Sequence, residues 1–433
     1  MRTQTISAKL KLHYNKEQKD ALRALAFAYR DALNFASKKA FELKKTSSAN
    51  KIQKVTYQEI RERWDLPSTM VCGIARQVGA TYKQLWTRLK NHIKNVKEKS
   101  KDGKVRKGKR YKGLNKAPKY TSPTAHLFYG KDYSWSKDQK ISVATLNGRI
   151  KLSYSGYQKH LDLIKAGSHC GSAKLWQDKT TKQWYLIVSL ELQKSDIDPA
   201  SLKKVRGVDV GQRCLLVSSD TEGKVTFQHG GFVKHKCREF AKTRSGLQSK
   251  GTRSAKRVLG RLARRERRFK ADVNHKLALS ILENSIIIGM EDLTNCRERT
   301  FEKRRKGKNA SEKQRVANRD HSSWSYAELA NFVEYKAFFF DSMLLKVDPR
   351  NTSRKCSKCG FTSEENRPNG SLLFTCKACS RKVHSDKNGA DNIKQKTLDI
   401  RQDLIFTGCL SITPKVSGND GSLIRSHETN SQP

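Results

Sequence analysis

The chain has 433 residues, and 89 Lys plus Arg against 41 Asp plus Glu give a formal net charge of +48. With 36% hydrophobic and 30% charged residues it is less apolar than an average globular chain but still able to build cores, which excludes a wholly disordered chain and an ordinary metabolic enzyme with a neutral or acidic surface. A positive excess of this size repels itself unless a polyanion offsets it, so nucleic acid is the first partner class and a membrane surface the second.

At roughly 150 residues per domain the length fits about three domains. No apolar run approaches the roughly 18 residues that span a bilayer. Met1 to Leu12 alternates instead of forming the apolar core of a signal peptide. We therefore expect a cytoplasmic protein with no membrane partner. Ten cysteines are far too few for a disulfide scaffold, and six of them (Cys72, Cys170, Cys214, Cys237, Cys296, Cys409) are scattered singly.

In chain order, Ile6, Ala8, Leu10 and Leu12 alternate with polar residues and predict a strand. Asn15 with Gln18 forms a capping pair, and Leu22, Leu25, Tyr29, Leu33 and Ala36 follow at helical spacing. A second helix is expected after Pro67-Ser68, with Val71, Ile74, Val78, Tyr82, Leu85, Leu89 and Ile93 on one face. Both stripes read as helix–helix core. Lys97 to Lys119 is dominated by Lys, Arg and Gly and reads as a flexible polyanion contact, with Lys107 and Arg110 as named candidates. Trp64, Trp86 and Tyr111 are candidates for stacking on bases, although Trp86 falls beside the apolar stripe and is expected in the core.

Ile141, Val143 and Thr145 alternate, Asn147-Gly148 offers a hairpin turn, and Ile150 and Leu152 follow. Trp184 to Leu192 is a further strand that pairs plausibly with Ala173 to Gln177. Residues before about 203 thus read as a small β-barrel interrupted by a helical insertion.

After Lys204 the pattern changes. Val205 to Val210, Cys214 to Ser219 and Lys224 to Phe227 predict three strands. A long basic helix follows, Arg253 to Asn284, with Phe269, Val273, Leu277 and Ile281 as its apolar stripe. Arg261, Arg264, Arg265 and Arg268 crowd its first half at a density that favours phosphate tracking. Ser285 to Met290 reads as a buried strand ending at Glu291. Thr300 to Arg319 is basic and polar, Trp324 to Leu345 is an expected aromatic-rich helix, and the tail after about Ile405 has little periodicity.

Cys356-x-x-Cys359 and Cys376-x-x-Cys379 are separated by sixteen residues. Two such knuckles close a tetrahedral thiolate site on one structural zinc ion, because four thiolates leave no open position. A redox pair needs only one copy. His384 is surplus to that count and reads as a hydrogen-bonding neighbour.

Three acids stand out by context. Asp209 sits in Val205-Arg-Gly-Val-Asp-Val-Gly-Gln-Arg213, Glu291 ends Ile286-Ile-Ile-Gly-Met-Glu-Asp-Leu293, and Asp386 opens a helix in His384-Ser-Asp-Lys-Asn-Gly-Ala-Asp-Asn-Ile393. The order strand, two strands, helix, strand, later helix is that of an RNase H-like sheet. Clustered carboxylates repel one another and a phosphodiester, and tolerate proximity by binding hard cations such as Mg²⁺. Two such ions about 3.5–4 Å apart activate water and stabilise the leaving oxygen. Asp292 is a rival that should point the other way, and Asp391 is a rival off the helical face of Asp386.

Gly207-Val-Asp-Val-Gly211, Met290-Glu-Asp-Leu-Thr294, Val347-Asp-Pro-Arg-Asn-Thr-Ser353 and Asp386-Lys-Asn-Gly-Ala-Asp-Asn-Ile393 together resemble the TnpB family of transposon-encoded RNA-guided nucleases, relatives of the miniature type V CRISPR effectors. Phe27-Ala-Tyr-Arg-Asp-Ala-Leu-Asn34 resembles its first recognition helix only weakly. The resemblance implies an α+β multidomain protein. It has a wedge β-barrel (1–14 and 121–203), a helical recognition domain with basic linker (15–120), an RNase H-like (RuvC) nuclease domain (204–350 and 383–404), an inserted zinc ribbon (351–382) and a disordered tail (405–433). It implies Asp209, Glu291 and Asp386 as catalytic ligands of two Mg²⁺ ions, and Cys356, Cys359, Cys376 and Cys379 as ligands of one Zn²⁺. It also implies a guide RNA, a double-stranded DNA target and a short adjacent motif read by the protein. A compact type V CRISPR effector, a guided or unguided nucleic-acid binder with an inert site, and a DNA transposase or junction resolvase using the same sheet are the alternatives; monomer and dimer stay open. Three positions depart from the family: Gly389 stands where Ala is usual, Asp391 where an apolar or basic residue is common, and Asn351 where Tyr is common.

Overall fold

The computed structural model describes residues 1–100, 113–136, 138, 140–179, 181–211, 213–293, 325–368 and 371–408. Lys107, Arg110, Tyr111 and the stretch Thr300 to Arg319 lie outside the described residues, as does Trp324. The chain divides into two compact units, Met1–Lys194 and Ser195–Pro433. No helix among the described residues is long and apolar enough to cross a membrane.

The first unit is built on a seven-stranded antiparallel sheet with strand order β2-β6-β7-β1-β5-β4-β3. Its strands are β1 (Arg2–His13), β2 (Thr124–Phe128), β3 (Tyr133–Trp135), β4 (Ile141–Thr145), β5 (Gly148–Ser155), β6 (His169–Gln177) and β7 (Trp184–Lys194). The edge strands β2 and β3 are consecutive in the chain and joined by a Tyr129–Tyr133 bridge, so the sheet nearly closes on itself. The expected alternation holds in β1, where Ala8, Leu10 and Leu12 are buried. The β4–β5 turn sits one residue earlier than the sequence suggests: Thr145 pairs with Gly148, whose φ of 93° is the left-handed value glycine tolerates.

Between β1 and β2 lie helices α1 (Lys16–Glu42), α2 (Ala49–Trp64) and α3 (Ser68–Ser100). The Asn15–Gln18 capping box starts α1 as expected. α2 was not anticipated, and Lys97 to Ser100 continue α3 rather than open a linker. The stripes of α1 and α3 share one apolar core with the sheet as far as Leu89, whereas Ile93, expected on the same face, is exposed; the Tyr82 hydroxyl donates to Ser37 O at 2.8 Å within this core. Trp86 is 37% exposed and donates Nε1–H to Lys45 O, so it caps this core from outside rather than filling it. A short helix α4 (Gln158–Lys165) links β5 to β6.

The second unit has a five-stranded sheet of order β10-β9-β8-β11-β12. Strands β8 (Lys204–Asp209), β9 (Cys214–Asp220) and β10 (Val225–His229) form an antiparallel meander, and β11 (Ile286–Glu291) and β12 (Met343–Val347) add in parallel to β8. Helices α5 (Gly231–Lys250) and α6 (Arg253–Ile281) connect β10 to β11. Helix α7 (Tyr326–Phe339) precedes β12. The aromatic helix expected over Trp324 to Leu345 is therefore shorter: the chain turns at Asp341 (φ 47°) and its apolar end pairs as a strand. The basic helix likewise stops at Ile281, short of Asn284.

Strand alternation divides this sheet cleanly. Val208, Ile286, Ile288 and Met290 pack on α6 and α7. The opposite face, with Val205 and Ile287, is covered by the last helix, α8 (Ser385–Thr407), through Leu404 and Leu398. This helix runs past Ile405, where the sequence suggested a tail. At the start of β8 a buried ionic knot completes the unit. Arg206 donates to Asp220 at 3.0 Å, to Glu283 at 2.5 Å and to Ile281 O, while Lys204 reaches Glu222 and Glu283.

Candidate active site and thiol cluster

Because Val205 and Ile287 face α8, the alternation places Gly207 and Asp209 of β8, and Gly289 and Glu291 of β11, on that same face. The strands run parallel in register, with Met290 opposite Val208, so both acids emerge at the same sheet end. The first turn of α8 arrives there carrying Asp386, an acid suited to a helix N-terminus. The structure thus draws the three acids picked from the sequence to one corner.

The electrostatics record the proximity. Burial first, then the carboxylates of Glu291 and Asp386, push Asp209 up to about 8. Burial also raises Glu291, partly offset by the hydroxyl of Thr352, which donates to its Oε1 at 2.5 Å, and by Lys396. Arg367 pairs with Asp386 at 3.2 Å. An ideal Cβ on Gly389 would lie 2.6 Å from Asp209 Oδ2, so the glycine that departs from the family pattern is what lets this carboxylate approach the helix. Carboxylates gathered in this way are the oxygen donors that a hard divalent cation takes.

Asp391 does not join the corner. Burial opposes its ionisation, but hydrogen bonds from Ser219 and Lys387, with Lys394 nearby, hold it below the usual carboxylate range. Its charge is already answered.

The four expected cysteines meet: Cys356, Cys359, Cys376 and Cys379 bring their sulfurs within 4.8 Å of one another. The closest pairs are 3.7 Å (Cys356–Cys379) and 3.5 Å (Cys359–Cys376). A tetrahedral ion with metal–sulfur bonds of about 2.3 Å has edges of roughly 3.8 Å, so the thiols fit one zinc. The hairpin β13 (Leu373–Thr375) and β14 (Lys382–His384) carries the second knuckle, and β14 passes directly into α8. Asn388 ties the two together, accepting from Ser357 N–H and donating to Lys355 O. His384 is no ligand of this cluster; its Nδ1 accepts from Asp386 N–H at 3.3 Å and caps α8.

Thr352, Arg367, Lys396 and Cys214 surround the corner and were missed from the sequence. Thr352 lay inside a quoted motif without a role. The others have no local signal, because the fold brings them in from a distant loop (Arg367), a neighbouring strand (Cys214) and a later turn of α8 (Lys396). Arg261, Arg264, Arg265 and Arg268 all lie exposed on α6. Trp64 packs on Phe35 at 5.6 Å in the first unit.

Comparison with known proteins agrees with this architecture. Residues 188–298, which include Asp209 and Glu291, match the family model described as "Probable transposase". Residues 326–393, which include the four cysteines and Asp386, match "Cas12f1-like, TNB domain". The CRISPR-associated endodeoxyribonuclease Cas12f1 of Sulfoacidibacillus thermotolerans is 26% identical over 257 residues, 55% of this chain and 56% of that protein. A TnpB-like protein of Methanocaldococcus jannaschii is 28% identical over 218 residues, 48% of this chain and 74% of that one. A protein of Escherichia coli strain K12 named "Putative RNA-guided DNA endonuclease InsQ" is 25% identical over 272 residues, 61% of this chain and 66% of that one. The chain spans about half the length of the Cas12f1 relatives it matches.

Proposed function

We infer that this chain, a relative of TnpB-like proteins and Cas12f1 nucleases, is an RNA-guided DNA endonuclease. In this reading the five-stranded sheet with α8 is an RNase H-like (RuvC) nuclease domain. The nearly closed sheet is a wedge barrel, α1 to α3 its recognition insertion, and the thiol cluster a zinc ribbon. A bound guide RNA selects the target strand by pairing, while the protein reads a short adjacent motif and backbone shape.

The observation that supports this reading is the convergence of Asp209 and Glu291, at the ends of two parallel strands in register, with Asp386 in the first turn of α8. Asp209, Glu291 and Asp386 would hold two Mg²⁺ ions. When bound, such ions supply an activated water and stabilise charge on the leaving oxygen. The chain's own side chains set the stage: Thr352 fixes one rotamer of Glu291, Arg367 orients Asp386, and Gly389 gives Asp209 room. The exposed arginines 261, 264, 265 and 268 are assigned to phosphate contacts, which set affinity rather than sequence. Lys107 and Arg110 receive the same role from the sequence.

The test is purification of the protein with its RNA, sequencing of that RNA, and cleavage of a DNA matched to it. Wild type should cut in Mg²⁺, and Asp209→Ala should bind RNA and target but leave no product. Equal cutting by Asp209→Ala removes the site assignment.

One contact favours a second reading. Arg367 already answers the charge of Asp386. If that pair persists on substrate, the chain is a guided binder with an inert site. A Mg²⁺ titration with matched guide and target separates the two: binding without product selects the binder.

A further inference from the structure

We propose that Cys214, His384 and Asp386 form a second metal site, selective for Zn²⁺ over Mg²⁺, whose occupation withdraws Asp386 from the acid corner. One ligand atom from each of these residues lies within 4.8 Å of the others. They come from three elements: Cys214 from the first position of β9, His384 from the end of β14 and Asp386 from the first turn of α8. The site is separate from the four-thiol cluster, with which it shares no residue.

The donor set is the first argument. A thiol, an imidazole and a carboxylate are the nitrogen, sulfur and oxygen ligands of zinc, whereas Mg²⁺ takes oxygen and keeps several waters. Three protein ligands with an open fourth position is a common zinc arrangement. Zinc bonds of about 2.0–2.3 Å set ligand separations of roughly 3.3–3.8 Å, so the three atoms need draw in by at most about 1.5 Å. A fourth donor stands by, since His229 Nδ1 lies 3.8 Å from Cys214 Sγ and its ring is exposed.

The surroundings are the second argument. Cys214 is only 4% exposed and packs with Val217 and Ala390, so the thiol side of the site is apolar and fixed. The thiol donates its hydrogen bond to the Asp386 carboxylate, and Asp209 lies close by. Phe227 sets its ring edge-on to His384 at 5.1 Å and stacks on His229 at 6.5 Å, which holds both imidazoles beside the sulfur. A cation at this point replaces the thiol proton, which leaves to solvent, and answers the negative charge. It also takes the imidazole away from Asp386 N–H, because either ring nitrogen used for the metal costs that capping bond.

The consequence for cleavage rests on the nuclease reading above; the binding does not. A carboxylate oxygen of Asp386 spent on zinc at this site is no longer free to share a Mg²⁺ ion with Asp209 and Glu291. Free zinc then switches the nuclease off while Mg²⁺ is abundant.

The experiment uses the full chain with its copurified RNA, dialysed to equilibrium against low-micromolar free Zn²⁺, with metal content read by mass spectrometry. Wild type should hold two zinc ions per chain, Cys214→Ala one, and Cys376→Ser one. Cobalt loading should show less thiolate-to-metal absorbance in Cys214→Ala. His384→Ala, which leaves the buried strand untouched, should also hold one and guards against a folding artefact in Cys214→Ala. Equal zinc counts in wild type, Cys214→Ala and His384→Ala overturn the site. In cleavage assays at saturating Mg²⁺, Cys214→Ala should need at least ten times more zinc for half inhibition; equal sensitivity overturns the switch. Absence of cutting by wild type counts against the nuclease reading alone, and the zinc count still decides the site.

Discussion

Gly207 and Gly289 are register partners across the parallel β8–β11 pair, and α8 crosses both. A Cβ on Gly207 would run into the main chain of Ala390 and Lys394, and one on Gly289 into the side chain of Thr397. These two missing methyl groups set how near α8 sits to the strands, and hence where Asp386 meets Asp209 and Glu291.

The two glycines should therefore respond differently. Gly207→Ala meets backbone that cannot step aside, and should destabilise the second unit by about 3 kcal/mol or more. Gly289→Ala meets mainly a hydroxyl, and adding Thr397→Ala should restore part of the loss. Urea melts of the two singles and the double variant test this; no rescue by Thr397→Ala means that the helix, not the side chain, sets the spacing.

Asp209 gives a pH signature. Its value near 8 lies above its ordinary 3.8, so the folded chain binds more protons than the unfolded one between those limits. Without added divalent cation, stability should fall as pH rises from about 4 to 8. Each kcal/mol lost lowers Tm by about 2–4 °C in a unit of this size. Mg²⁺ should raise Tm most at the alkaline end, and Asp209→Asn should flatten both trends in a series of thermal melts.

Removing the ribbon metal should disturb the acids. β14 leads straight into α8, and Ser357 and Lys355 are bonded to Asn388. Cys359→Ser should lose one zinc per chain and lower cleavage at least tenfold, without loss of the far-ultraviolet signal of the first unit. Metal analysis beside a cleavage assay checks it; full activity in a zinc-free ribbon contradicts the coupling.

The ionic knot at the start of β8 should matter for folding and not for chemistry. Arg206 is 3% exposed and Asp220 1%. Arg206→Met leaves Lys204 as the cation shared by Asp220 and Glu283 among the described residues, and should cost about 3–5 kcal/mol. Cleavage per folded molecule should stay at wild-type level, measured after separating folded protein by size.

Much of the acid corner was legible because strand alternation is local: Asp209 and Glu291 each end an apolar run two residues past a glycine. The cysteine spacing was equally plain. What stayed hidden depends on long-range approach. Helix α5 buries only Val233, and its apolar stripe, Val233, Cys237 and Phe240, is short and set among Lys, Arg and Ser. β12 is a short apolar run that continues the pattern of α7 until Asp341 turns the chain. Arg367 sits in the loop between the knuckles, and nothing near it in sequence says that it will reach Asp386. Asp391 looked like extra negative charge beside the site, but Lys387, Lys394 and Arg381 already answer it.

His384 ends β14 and Ser385 begins α8, with no residue between them to absorb a rotation. Ribbon and helix therefore behave as a crank on one axle. A partner that grips the thiol hairpin and tilts it pulls on the first turn of α8, the turn that carries Asp386.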